Sequence, residues 1–147
     1  MALAPKRKVN ADDLIEEFAM NMVAERGGIA CASATVGEVE YLVSPTGGGL
    51  PIGLLLDDVE SLNFDRHPEY LLRNVVDVGS QVSLVKKGLL STNMVVGTPV
   101  QGQLLYLHPS GYVGATRLTD GINPAPLVGR TIEAANAAGY VYISLDL

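Results

Sequence analysis

Apolar and polar residues alternate along several short stretches in the second half of the chain, which is the pattern of half-buried β-strands. The alternation is clearest at residues 104–108, 127–133 and 140–145, with a proline- and glycine-bearing turn at 109–111 after the first of them. Residues 134–139 are too short for a stable helix and end in glycine, so they predict a turn. The pattern therefore predicts a small β unit over residues 97–147.

The same order of features occurs earlier in the chain. Residues 51–59 align with residues 127–135, because each stretch has an apolar pair, a glycine (Gly53 or Gly129), three further residues and an acid. A tyrosine-bearing strand precedes each stretch, at 38–43 and 104–108, and an alternating strand follows each one, at 81–86 and 140–145. Self-similarity of this kind indicates two imperfect copies of one β unit, about 25–96 and 97–147, with an insertion around residues 60–78 in the first.

Residues 1–24 lack the strand pattern. Residues 1–10 contain Lys6, Arg7 and Lys8, which predict an extended basic arm. This arm either contacts an acidic partner or nucleic acid, or is simply a solvated terminus. From residue 11 to 26 an apolar stripe recurs every fourth residue and ends at a glycine pair, which predicts one short helix, with an irregular segment as the alternative. We therefore expect a mostly β fold, a small β-barrel or β-sandwich over residues 25–147, with an N-terminal arm and a short helix over 1–24. The predicted core is Leu54, Leu56, Val82, Leu84, Ile132, Val141 and Ile143.

Composition narrows the class of protein. Of 147 residues, 48% are hydrophobic and only 18% are charged, whereas an ordinary soluble domain has about 25% charged residues. This favours a protein that hides surface against copies of itself, the alternative being a well-filled core. The net charge of −6 argues against nucleic-acid binding, and the single cysteine excludes an internal disulfide. The apolar runs are too short for a membrane span and the start is charged, so we expect synthesis in a cytoplasm.

The sequence shows no catalytic constellation. His67 and His108 have no serine or cysteine nucleophile beside them, and Cys31 has no neighbour that would activate a thiolate. The glycine runs lack the residues of a phosphate-binding loop and are expected to form turns. The four carboxylates at 57, 58, 60 and 65 lack the ligand spacing of a calcium loop, so an acidic solvated loop is the preferred interpretation. We therefore expect no enzyme activity, no cofactor and no metal site.

Five stretches, in this order and spacing, make the chain similar to the head decoration, or capsid cement, proteins of tailed bacteriophages. They are residues 25–29, 53–59, 82–88, 97–100 and 128–135. The resemblance covers roughly residues 25–147, and residues 1–24 depart from it. It implies a small β protein that assembles as a homotrimer on the outside of the mature head and bridges subunits of the major capsid protein. The expected location is then the virion surface, with Lys6, Arg7 and Lys8 as a docking arm.

Two other functions stay open at the level of sequence. A tail-tube or head–tail joining protein is also a small oligomeric β protein, and it would form rings of six or twelve subunits. A small ligand-binding β module would instead be a monomer with a deep polar pocket.

Overall fold

A computed structural model describes residues 3–5, 14–44, 49–61, 75–119 and 121–147. It is 47% strand and 3% helix, so the predicted mostly β fold is confirmed. The strands are β1 (Leu3–Pro5), β2 (Leu14–Ile15), β3 (Ala19–Met20), β4 (Ile29–Ala32), β5 (Glu38–Glu40), β6 (Pro51–Leu55), β7 (Asp58–Glu60), β8 (Val75–Asp77), β9 (Leu84–Val85), β10 (Lys87–Thr92), β11 (Val95–Val96), β12 (Leu104–Leu107), β13 (Val113–Gly114), β14 (Leu127–Glu133) and β15 (Val141–Asp146). A 3-10 turn, Pro109–Gly111, joins β12 to β13.

The strands form two main sheets, each curled like half of a barrel. The first sheet has the order β2-β9-β6-β4-β5-β3, and the second has the order β1-β10-β15-β14-β12-β13-β11. Apart from β1, the two orders match strand for strand. In both sheets the pairs are antiparallel except for one parallel pair at the edge, β3 with β5 and β11 with β13. The insertion in the first half of the chain contributes β7 and β8, which pair in parallel as a small sheet of their own.

The two sheets also share a bulge at the same place. Ala30 pairs with Gly53 and Leu105 pairs with Gly129, and in each case the next pair along the strands skips one residue. A side chain on Gly129 would place its Cβ against the Ser144 carbonyl oxygen, and one on Gly53 would place it 2.9 Å from the Leu84 Cβ. Glycine is therefore required at both positions because the neighbouring strand approaches too closely for any side chain.

The predicted helix over residues 11–26 is wrong. The described part of it, residues 14–26, contains β2, β3 and a bridge from Ala24 to Val59 instead. Met20, which lies off the predicted stripe, is fully buried because it pairs with Val39 in the first sheet, whereas Val23 on the stripe is more than half exposed. Pairing with distant strands has overridden the local helical pattern.

Two other boundaries differ from the expected ones. The change from the first sheet to the second falls at Lys86, between β9 and β10, rather than near residue 96. The arm and the β domain are also not separate, since β1 pairs with β10 at the edge of the second sheet. Lys6, Arg7 and Lys8 lie outside the described residues.

The strand equivalent to β12 is β4, not residues 38–43 as the sequence alignment had it.

The core consists of two clusters, one on each face of the first sheet. The larger cluster joins one face of the first sheet to the second sheet, and it contains Ile29, Cys31, Leu54, Val85, Leu90, Leu105, Leu107, Val113, Val128, Val141, Ile143 and Leu145. The other cluster lies on the opposite face of the first sheet, where Val59 of β7 is buried among its members and Val76 of β8 packs against it. The first sheet is thus covered on both faces.

The predicted core residues Leu54, Val82, Leu84, Val141 and Ile143 are confirmed as buried, whereas Leu56 and Ile132 are only half-buried. For Ile132 the cause is the shared bulge at Val128, which shifts the alternation along β14 by one residue, so that Thr131 pairs with the buried Ile143 and Ile132 lies on the opposite face. Thr131 is buried in its place.

Several hydrogen bonds outside the strand pairing stabilise the fold, and two of them join the two halves of the chain. The buried Tyr41 hydroxyl accepts a bond from the Gly28 N–H at 3.2 Å and donates one to the Glu25 carbonyl. The Thr92 hydroxyl donates to the Gly27 carbonyl at 2.9 Å, and the Ser110 N–H donates to the Leu42 carbonyl at 2.7 Å. The last two bonds join the second half of the chain directly to the first.

Candidate functional site

The most distinctive surface of the molecule is the exposed side of the second sheet, which we call the outer face. It is formed by β10, β12, β14 and β15, and its residues are Leu89, Leu104, Leu127, Arg130, Ile132, Ser144 and Asp146. Leu104 is 39% exposed and Leu127 is 48% exposed. Half-exposed apolar side chains grouped on one sheet face indicate a contact surface.

The register of the strands explains how these side chains come together. Leu104 pairs with Arg130, and Arg130 pairs with Ser144, which in turn pairs with Leu89. These four residues therefore form one row across β12, β14, β15 and β10, with all four side chains on the same face. The neighbouring residues along each strand point into the core, as the buried Leu105 and Ile143 do.

The repeat places an equivalent row in the first sheet. By strand order and register, Leu89, Leu104, Arg130 and Ser144 correspond to Leu14, Ile29, Leu54 and Val85. In the first sheet this row is entirely apolar, and the last three residues are fully buried against the second sheet. The outer face is therefore the counterpart of a face that the molecule already uses for packing.

A shallow groove of about 300 Å³ runs along the outer face. Its lining combines apolar side chains with one cation and one anion, Arg130 and Asp146. Lys87 lies beside Asp146, with its Nζ 3.9 Å from the carboxylate, but both side chains are more than 60% exposed, so this ion pair is weak. Arg130 forms no ion pair within the described residues. The face thus carries both signs of charge around an apolar centre.

A second groove, of about 420 Å³, lies between the β3–β4 connection and β7. Glu25, Asp58 and Glu60 are among its lining residues. Asp58 Oδ1 accepts a bond from the Arg26 N–H at 2.9 Å, and Asp57 Oδ2 accepts one from the Ser83 N–H at 2.8 Å. These two carboxylates therefore hold backbone groups in place.

Among the described residues, no group of three or more His, Cys, Asp or Glu side chains is arranged to hold a metal ion. Asp65, the remaining member of the acidic set noted in the sequence, lies outside the described ranges.

Three residues were considered for nucleophilic or acid–base chemistry, and the two that the structure describes, Cys31 and His108, are both buried. Burial, and secondarily the charge of Glu40, raises the pKa of the Cys31 thiol to about 12, which makes it a poor nucleophile at neutral pH. His108 is buried, with its Nε2 2.7 Å from the Thr116 carbonyl oxygen and close against Gly114. The other histidine, His67, lies outside the described residues.

Sequence analysis missed the outer face, although one signal for it was available. The alignment of residues 51–59 with 127–135 places Leu54 opposite Arg130, and the alignment of 81–86 with 140–145 leads to Val85 opposite Ser144. An exchange of apolar for polar residues at matched positions indicates that one copy of a face is covered by the molecule itself and the other is not.

No family model matches the chain, and a search of curated proteins finds no match either. Within the described part of the chain, no helix is long and apolar enough to span a membrane.

Proposed function

We propose that this chain is a structural virion protein that binds the outside of a bacteriophage capsid as a homotrimer. In this role it bridges neighbouring subunits of the major capsid protein and stabilises the head. It is made in the host cytoplasm and ends on the virion surface. The proposal combines the resemblance over residues 25–147 with the physical character of the chain.

The observation that carries the proposal is the outer face. Only 18% of the residues are charged. The first sheet is covered on both faces, whereas the outer face of the second sheet is half-exposed and partly apolar. Such a surface suits a protein that works by contact with other subunits. Attachment at many equivalent places on a shell sums modest individual contacts, so each copy needs only a small interface to add stability.

The experiment is a binding assay with emptied heads built from the major capsid protein of the source phage. We expect saturable binding, with trimers visible at fixed positions by electron microscopy, and heads that resist heating better than undecorated heads. Heated, unfolded chain serves as the control. Absence of binding, combined with rings of six or twelve subunits in negative stain, would instead favour the tail-tube or head–tail joining function.

The basic arm can be tested in the same assay. Because β1 pairs with β10, a deletion of residues 1–10 would also remove a strand, so the sharper variant replaces only Lys6, Arg7 and Lys8 by alanine. If the arm pairs with carboxylates on the shell, this variant should show lower head occupancy, and the loss should change with salt concentration. Equal occupancy across a salt series would show that the three residues do not dock.

A further inference from the structure

We propose that the outer face is the surface through which copies of this chain bind one another, with Arg130 of one copy paired with Asp146 of the next. The inference deepens the proposed function and rests on it only for the number of copies, three. It identifies the surface through which the copies contact one another in the assembly.

The row of the first sheet that corresponds to the outer face is buried against the second sheet, which supplies side chains such as Leu105 and Ile143 to the shared core. The molecule thus already contains one packed example of this face. The equivalent row on the second sheet has no such layer in the described part of the chain, and Leu104 and Leu127 are left partly exposed.

The covering of the first sheet limits how another copy can approach. A head-to-tail stack would place the outer face of one copy against the free side of the first sheet of the next copy. That side is already filled by the second core cluster, in which Val59 of the inserted β7 is fully buried. Head-to-tail stacking through these two faces is therefore blocked, whereas a closed cyclic arrangement can bring the outer faces of the copies together around its axis.

The distribution of charge also favours contact between copies through the outer face. The whole chain carries a net charge of −6, so two copies repel each other over most of their surfaces. The groove on the outer face is lined by one arginine and one aspartate, with Lys87 beside the aspartate, so the groove does not share the negative excess of the whole chain. In a cyclic arrangement the Arg130 of each copy can face the Asp146 of its neighbour, while the apolar side chains between them are removed from water.

The test uses the full chain and measures its mass in solution over a range of concentrations. Leu127→Glu and Arg130→Glu place a carboxylate on the outer face, and each should raise the concentration at which the chain assembles by at least about tenfold. Val36→Glu is the matched control, because Val36 is fully exposed at a turn of the first sheet. The double variant Arg130→Glu with Asp146→Arg reverses both charges and should restore assembly, which a merely misfolded variant would not do.

A second measurement avoids interface disruption. Ser144 lies in the middle of the row, and the native Cys31 is fully buried, so Ser144→Cys introduces the one accessible thiol of the chain. A short bifunctional maleimide should cross-link Ser144→Cys in high yield and Val36→Cys only weakly.

The outcomes separate this inference from the proposed function. A monomeric wild-type chain, or variants that assemble as the wild type does, would overturn the inference. Variants that stay assembled but no longer bind heads would also overturn it, because the outer face would then contact the shell. If the variants dissociate as expected while the wild-type assembly fails to bind heads, the inference stands and the proposed function fails.

Discussion

The two sheets of this protein share one strand order, one bulge and one glycine position, yet they have different surroundings. The first sheet is buried on both faces, by the second sheet on one side and by residues around β7 and β8 on the other. Among the residues that the structure describes, nothing covers the outer face of the second sheet, which is therefore buried on one face only. Topology therefore determines which side chains share a face, whereas the neighbouring layers determine whether that face must be apolar.

The strongest test of the comparison exchanges residues between equivalent positions. Leu54 is fully buried between the sheets, and its counterpart Arg130 is exposed on the outer face. Leu54→Arg should prevent folding, because an unpaired charge in the interior costs more than a small domain can supply. Arg130→Leu should fold, with the free energy of unfolding of the protomer changed by about 0.5 kcal/mol or less. Circular dichroism and denaturant unfolding check both; a folded Leu54→Arg protein would refute the equivalence.

The next largest effect concerns the contacts around Tyr41. Tyr41→Phe removes the hydroxyl that bonds to the Gly28 N–H and the Glu25 carbonyl, so two backbone groups lose a partner. We expect the free energy of unfolding to fall by about 2–3 kcal/mol, measured by urea unfolding. Tyr112→Phe is the control, since Tyr112 is 38% exposed and its change should be small. Equal effects of the two variants would mean that the two hydrogen bonds of the Tyr41 hydroxyl do not stabilise the fold.

A pH dependence follows from Cys31, on the face of the first sheet that the second sheet covers. Burial raises the pKa of this thiol to about 12 in the folded state, whereas an unfolded cysteine has a pKa of about 8.5. The thiol's contribution to stability is therefore complete below about pH 8.5. It is lost as the pH rises towards 12, by roughly 1.4 kcal/mol per pH unit.

Urea unfolding of wild type and Cys31→Ala at pH 8 and pH 9.5 measures this contribution. The free energy of unfolding should fall more between the two pH values in the wild type than in Cys31→Ala. The raised pKa of Tyr41 affects both proteins equally, so the difference isolates the thiol. Parallel pH profiles would show that Cys31 is not held in the neutral form.

The smallest predicted effect is a stabilisation. Thr131 is buried, its hydroxyl has no hydrogen-bond partner within the described residues, and its counterpart in the first sheet is Leu55. Thr131→Val keeps the shape and removes the unpaired hydroxyl, so the free energy of unfolding should rise by about 1 kcal/mol. Thr92→Val is the opposite control, because the equally buried Thr92 hydroxyl bonds to Gly27 and Met94. A loss of stability in Thr131→Val would imply a partner for the hydroxyl.

The sequence predicted those parts of the fold that depend on local alternation. The bounds of β14 agree with the predicted strand at residues 127–133, and the alignment of Gly53 with Gly129 coincides with the shared bulge. Alternation failed where a bulge interrupts it, so Ile132 was placed in the core and Thr131 was not. The helix was mispredicted because the burial of Met20 comes from pairing with a distant strand.

The candidate site could not be predicted from one sequence for a similar reason. Leu104 and Leu127 have the same pattern of neighbours as any half-buried strand residue, and only the arrangement of the layers shows that their face is open. The positions of Arg130 and Ser144 opposite apolar counterparts were visible in the alignment. Interpreting these positions as an exposed face required knowing which face of each sheet is covered by the other sheet.

The order of the strands along the chain also has a consequence for synthesis. All strands of the first sheet precede Lys86, whereas the layer that covers Ile29, Leu54 and Val85 is made from residues that follow it. A ribosome releases the N-terminal half first, so a nascent chain exposes an apolar sheet until β15 has emerged. β1 is translated earliest, yet its pairing partner β10 comes only after the whole first sheet. Translation of residues 87–147 is therefore the interval in which chaperone binding and aggregation compete with completion of the fold.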